Sequence, residues 1–276
     1  MSTKLDGPNF SHDFVGYQIN MWRMPFMTTA ISLFANFDRP LHLLEVGSWL
    51  GSSVYIWAEA IQRYLPAGGQ IFCVDPWSPY FDENILNTPG LEPSYAKMHK
   101  AAQDDTAYEL FKHNVDVCQR AFGISVRHQR GVSREVLPTL ADGAFDVVYI
   151  DGSHAYDDVL YDLNECRRLV SDGGILCGDD LELEATDLSN LDQVRARMNE
   201  DLLFIGETQS FHPGVSLAVH DVLGRVSNYH GFWAMRRRGE TFEPVDLRNV
   251  RTFGPRYWGK ENVENLKKVL DKIAGK

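Results

Sequence analysis

One stretch constrains the fold more than any other: FDVVYIDGSHAYDDVLYDLNECRRLVSDGGILCGDD, from Phe145 to Asp180. An apolar run, Val147-Val148-Tyr149-Ile150, ends on Asp151, and a second, Ile175-Leu176-Cys177, ends on Asp179-Asp180. Between them Val159, Leu160, Leu163, Leu169 and Val170 recur on one helical face. Two short apolar runs joined by a helix make a βαβ unit whose parallel strands are buried on both faces. The carboxyl ends of such strands form the edge of an open α/β sheet where ligands bind. Each strand therefore carries acids to that edge. Asp157 and Asp158 fall in the first helical turn and are read as charges that complement the helix dipole.

A second unit lies upstream. Leu41–Val46 reads as a strand that runs into Glu45-Val-Gly47-Ser48-Trp49-Leu50-Gly51-Ser52-Ser53 and then a helix to about Tyr64. Gly68-Gly69 turn the chain into another strand, Gln70–Val74, which ends on Asp75-Pro76-Trp77. Strand, glycine turn, helix, strand and acid are the nucleotide-binding arrangement of doubly wound folds. A helix over Thr106–Phe122, a strand over Ile124–Gln129 and a short helix capped by Ser133 and ending near Leu140 follow. Leu191–Leu203 and Val215–Leu223 read as helices, Phe232–Arg236 as the last strand, and Val263–Ile273 as a terminal amphipathic helix.

The expected fold class is α/β: a doubly wound, Rossmann-like sheet, mostly parallel with an antiparallel last strand, and helices on both faces. Residues 1–40 form an N-terminal helical segment, broken near Pro25, with aromatic and Met side chains suited to core or subunit contact. Residues 41–240 form the main domain and 241–276 a C-terminal extension. Residues 78–104 and 181–213 interrupt the pattern, and long insertions of this kind serve as lids or functional loops. Both leave the carboxyl edge of the sheet, so both can cover one site.

Composition narrows the function. A net charge of −11 over 276 residues opposes nucleic acid as partner, because phosphate binding needs a basic stripe. No run approaches the roughly 18 apolar residues of a spanning helix, and the N-terminus lacks a signal pattern, so a cytosolic protein without a membrane partner is expected. Cys73, Cys118, Cys166 and Cys177 show no C-x-x-C spacing and read as buried thiols. Arg236, Arg237, Arg238, Arg248, Arg251 and Arg256 make the C-terminal part locally basic. That is a solvated surface by default, or else a grip on an anionic substrate group or on a second subunit of a homo-oligomer.

Glu45-x-Gly47-x-x-x-Gly51 is close to two fingerprints. A dinucleotide wants G-x-G-x-x-G, whose second glycine lets the main chain approach a pyrophosphate; here that position is Trp49. S-adenosylmethionine has no pyrophosphate and asks for a small-residue turn, with an acid ending the second strand to accept the ribose hydroxyls. Asp75 fits that role. With Tyr149-Ile-Asp151-Gly-Ser-His154-x-Tyr156-x-x-Val159-x-x-Asp162-Leu163, Gly173-Gly174 and Gly178-Asp179-Asp180, the chain resembles the class I S-adenosylmethionine-dependent methyltransferases. It resembles most closely the macrocin- and mycinose-type sugar O-methyltransferases, with the related cephalosporin hydroxylase and rhamnosyl O-methyltransferase group. The resemblance runs from about Leu43 to Asp180 and more weakly to Trp233, and Trp49 departs from it. It implies that Glu45, Gly47, Ser48 and Ser52 line the methionine side of the cofactor, and that Val132 and Ser133 border its adenine. Asp151 would border it as well.

The acids suggest the chemistry. Neighbouring strands lie roughly 5 Å apart, so Asp151 and the Asp179-Asp180 pair converge. Carboxylates crowded in one crevice repel, and a hard divalent ion removes that cost. An oxygen-only set suits Mg2+, or another divalent cation such as manganese or calcium. Successive strand residues face opposite sides, so Asp179 and Asp180 both point inward only if the strand has ended there. A metal would lower the pKa of an acceptor hydroxyl, and a base would take its proton. Asp151 and His154 are the candidate bases, with His212 and His230 behind them. The expectation is metal-assisted O-methylation of a sugar or another small natural product. A metal-independent methyltransferase, a hydroxylase-like member of the fold and a non-catalytic cofactor-binding protein are the alternatives.

Overall fold

The computed structural model describes residues 7–10, 21–79, 86–87, 92–206 and 209–275. In chain order the elements are α1 (Met24–Ser32), β1 (Leu41–Val46), α2 (Ser52–Tyr64), β2 (Gly69–Asp75), α3 (Glu92–Gln103), α4 (Thr106–Phe122), β3 (Ser125–Arg130), α5 (Ser133–Val136) and β4 (Phe145–Ile150). Then come α6 (Tyr156–Leu169), β5 (Val170–Leu181), α7 (Leu191–Arg195), β6 (Leu203–Ile205), β7 (Gln209–Phe211), α8 (Pro213–Leu223), β8 (Ser227–Tyr229), β9 (Gly231–Arg238), β10 (Thr241–Pro244) and α9 (Lys260–Ile273). The main sheet runs β10-β9-β5-β4-β1-β2-β3, with β8 also on β9. β1 to β5 are parallel to one another, whereas β9 is antiparallel to β5, β8 and β10.

Strand alternation builds two cores, because successive side chains leave opposite faces. Leu43, Val147 and Tyr149 join α1, α2 and α4 on one face; Leu44, Val148 and Ile150 join α5, α6 and α8 on the other. The four cysteines are free and buried. Strand order reverses at β1, which lies between β2 and β4, and this switch point is where ligands enter doubly wound sheets. The expected Rossmann-like fold is the one found; its antiparallel strand is β9, and β8 and β10, which pair with it, were not expected.

Several boundaries differ. Pro25 starts α1 instead of breaking a helix, because proline has no N–H to lose in a first turn. Pro93 does the same in α3, a helix inside the stretch expected to lack periodicity. The rest of that stretch, residues 80–85 and 88–91, lies outside the described residues, as does the N-terminal segment over 11–20. β5 begins at Val170, a residue expected on the preceding helical face, so the strand is longer than the Ile175–Cys177 run. The helix expected over 191–203 stops at Arg195, and Leu203 already belongs to β6. Ser133 is the first residue of α5, with Val132 at the cap position.

Candidate active site

The turn after β1 is held from three sides. Gly47 has φ 84°, and a Cβ there would stand 2.0 Å from the carbonyl oxygen of Asp151. Only glycine permits that approach to the end of β4. Asp75 lies beneath the turn: Oδ2 accepts the N–H groups of Ser48 and Trp49, each at 2.9 Å, and Oδ1 accepts that of Trp77 at 2.6 Å. Burial raises its pKa, while these backbone bonds pull the other way. Trp49 has φ 44° and so adopts the left-handed conformation of the glycine it replaces. Trp77, at φ 41°, donates Nε1–H to the Trp49 carbonyl at 2.7 Å.

The other expected cofactor residues surround this turn. Glu45 is wholly buried below it, with the Ser53 hydroxyl donating to Oε1 at 2.9 Å. Burial pushes the Glu45 carboxyl up to about 8. Ser48 and Ser52 are buried, and the Ser52 hydroxyl lies 3.3 Å from that of Tyr257. Val132 is an exposed apolar side chain beside the start of α5, and burial of Asp162 behind Ser133 pushes that acid up to about 7.

The acids at the ends of β4 and β5 do converge. Asp151, Asp179 and Asp180 each offer an oxygen, all within 4.8 Å of one another. The strand does not end to allow this. β5 runs on to Leu181, but three steps along it (Gly178 to Leu181) match two along β9 (Trp233 to Gly231). That bulge places Asp180 at φ 60°, and a bulge of this kind re-aims a side chain at a functional edge.

Arg23, at the cap of α1, enters the acids from the other core. Its Nη1 lies 3.0 Å from Asp151 Oδ2 and bonds Asp179 Oδ2 as well. Tyr149 donates its hydroxyl to Asp151 Oδ2 at 3.0 Å. Burial raises the Asp151 pKa and pushes Asp179 up to about 7, against the charge of Arg23; the neighbouring acids add to both shifts. Asp180 goes the other way: burial opposes its charge, but the hydrogen bond and charge of His154 outweigh burial and hold its carboxyl below the usual range. Arg23 was not foreseen. The signal was there, since it is the one charged residue between Met21 and Met27.

A second polar group adjoins the first. His154 Nε2 lies 3.1 Å from Asp180 Oδ2, and Nδ1 lies 2.8 Å from Asp201 Oδ1. Burial works against its charge, yet the two carboxylates outweigh it and raise its pKa well above the ordinary value. The His212 ring centroid is 4.1 Å from that of His154, and His212 Nδ1 is 3.0 Å from Glu182 Oε1. Tyr95 of the first insertion donates to Asp201 Oδ2 of the second, so the two insertions touch beside His154. Asp201, Glu182 and Tyr95 carry no local signature that sequence reading could have used. His230 instead packs against Trp22 and Phe26. Asp157 and Asp158 stand in the first turn of α6, as expected, with Arg134 on Asp158 at 3.1 Å. The C-terminal arginines have internal work: Arg236 and Arg237 donate to the Gly173 and Val170 carbonyls, and Arg256 to Gln62.

A parallel sheet with a glycine turn at its switch point and acids at its carboxyl edge defines a nucleotide-cofactor enzyme of the doubly wound class. Residues 44–181 match the model of a family described as a methyltransferase domain, and the chain belongs to that family. Similar solved structures include a putative O-methyltransferase from Klebsiella pneumoniae, at 15% identity over 82% of this chain and 84% of that one, with a TM-score of 0.49. The O-methyltransferase NovP gives 15% identity over 80% and 81% of the two chains, with a TM-score of 0.49. CalS11, a TDP-rhamnose 3'-O-methyltransferase of calicheamicin biosynthesis, gives 18% over 76% and 78%, with a TM-score of 0.40. These likenesses carry no argument about substrate. No curated protein matches the chain. Among the described residues, no helix is long and apolar enough to cross a membrane.

Proposed function

We propose that the protein is an S-adenosylmethionine-dependent O-methyltransferase, assisted by a divalent cation, that acts on a hydroxyl of a sugar or another small natural product. The observation that carries this reading is the convergence of Asp151, Asp179 and Asp180, one oxygen of each within 4.8 Å of the others, beside the glycine turn. An all-oxygen donor set of this kind fits Mg2+. A cytosolic location and a small hydroxyl acceptor, with no nucleic acid or membrane as partner, belong to the same reading; so does a homo-oligomer.

S-adenosylmethionine supplies the electrophilic methyl group, and the divalent ion, when bound, supplies Lewis acidity that loosens an acceptor hydroxyl's hold on its proton. The chain does the rest. Gly47, Ser48 and Ser52 form the turn beneath the methionine portion, with Glu45 and Asp75 bracing it from below. Asp75 is spent on three backbone N–H groups, and its remaining lone pairs are the ones a ribose hydroxyl would meet. Val132 and Ser133 flank the adenine end. Of the two candidate bases, His154 has a carboxylate on each ring nitrogen and so keeps its proton, which favours Asp151. Asp151 would take the acceptor hydroxyl's proton and hold that oxygen toward the place where bound S-adenosylmethionine would present its methyl group.

Calorimetry with S-adenosylmethionine tests the cofactor; absence of binding removes the proposal. A panel of glycosides and phenols, assayed for a methyl mass gain with and without EDTA, tests the rest. Methylation unaffected by EDTA would leave a metal-independent enzyme.

A further inference from the structure

We propose that His154, His212 and Asp201 form a binding site for a divalent transition-metal ion of the zinc class, next to the all-oxygen centre and distinct from it. The three residues come from three places: the turn after β4, the cap of α8 and the turn before β6. Each offers one ligand atom, and these atoms lie within 4.8 Å of one another. His154 Nδ1 and Asp201 Oδ1 are 2.8 Å apart. Two ligands on bonds of about 2.1 Å, placed tetrahedrally round one ion, sit about 3.4 Å apart. The contact would open by about 0.6 Å as an ion replaces the proton the two atoms share.

The surroundings match what metal ligands need. A metal-binding histidine usually has its other ring nitrogen held by a carboxylate, and a ligating carboxylate is itself hydrogen-bonded. His154 Nε2 meets Asp180, His212 Nδ1 meets Glu182, and the second oxygen of Asp201 accepts from Tyr95. The backbone is locked as well: a Cβ on Gly214 would stand 2.1 Å from the His154 carbonyl oxygen, and the Tyr156 N–H donates to the Met198 carbonyl at 3.3 Å. A site held this tightly costs little reorganisation when the ion arrives.

Donor type separates the two centres. Two imidazoles and a carboxylate suit zinc, cobalt or iron, whereas the oxygen-only set of Asp151, Asp179 and Asp180 suits magnesium. Two close imidazoles also repel if both are protonated. One ion in place of the proton shared by His154 and Asp201 would offset the charge of Asp201 and Glu182.

The test uses the full chain, stripped of metal and titrated with Co2+ in excess Mg2+. Visible d–d absorption saturating at one ion per chain is expected, and Zn2+ should displace it. His212→Asn and Asp201→Asn should each weaken Co2+ at least about 100-fold, whereas Asp179→Asn should leave the signal in place. X-ray absorption on the wild-type cobalt protein should show imidazole scattering, which keeps the test decisive if a variant misfolds. Absence of cobalt binding would overturn the proposal, as would wild-type affinity in both His212→Asn and Asp201→Asn, or loss of the signal in Asp179→Asn. S-adenosylmethionine binding, followed by calorimetry in the same samples, reports on the methyltransferase reading separately.

Discussion

β4 carries an acid at each end, and the two differ in what surrounds them. At the amino end Asp146 is buried and saturated: Arg39 grips it at 2.8 and 2.6 Å, the His42 N–H donates at 2.9 Å and the Ser171 hydroxyl at 3.2 Å. At the carboxyl end Asp151 shares Arg23 with Asp179, and Asp180 crowds the same space. One arginine per acid is a structural tie. One arginine and one histidine among Asp151, Asp179, Asp180 and Asp201 leave a negative surplus, a demand for a cation, and acids perturbed in this way cluster at functional sites. Residue type and strand are the same; the ratio of charges separates the roles.

The largest effect that would break this contrast is on chemistry. Asp179→Asn should lower methyl transfer to an identified acceptor by about 10³, equivalent to roughly 4 kcal/mol of barrier, with unfolding in urea unchanged or slightly harder. Retained activity would make the carboxyl-edge acids structural after all.

Asp162 sharpens the contrast through pH. It is buried on α6, and burial pushes its carboxyl up to about 7. The unfolded chain loses that proton near pH 4 while the folded chain keeps it to about 7, so this group makes stability fall as pH rises through that window, by up to about 4 kcal/mol. Asp162→Asn should flatten the decline between pH 5 and 8 in thermal melts. An equally steep decline in the variant would mean that another group sets it.

Asp146→Asn should cost about 2 kcal/mol in urea unfolding, less than a fully buried pair because Arg39 is half exposed. Cofactor affinity per folded molecule should not change; an equal fall there would erase the distinction between the two ends. The smallest effect concerns Arg23, which occupies the place where a cation is demanded. Arg23→Gln should tighten Mg2+ binding about tenfold, or about 1.4 kcal/mol, by calorimetry. Weaker Mg2+ binding would show that Arg23 helps to hold the ion.

Much of the fold was legible because it is periodic and local. The apolar runs of β1, β2 and β4, the glycine turn and the acids after each strand are patterns of neighbouring residues, and the sheet places every such strand end on one edge. Asp151, Asp179 and Asp180 could be brought together on paper for that reason. Trp49 was read as a departure from the glycine pattern, yet its backbone takes the shape glycine would. Sequence pattern does not show that a side chain has paid about 1–2 kcal/mol to adopt a left-handed conformation.

What the chain determined by itself, then, was the order of strands and helices and the acids at their ends, since periodicity and turn chemistry act over a few residues. The tertiary structure alone decided which charges meet. Arg23 reaches Asp179 across 156 positions and Asp201 reaches His154 across 47, while a one-residue bulge aims Asp180. Contacts of that separation are set by packing two layers on a sheet, and no local pattern records them.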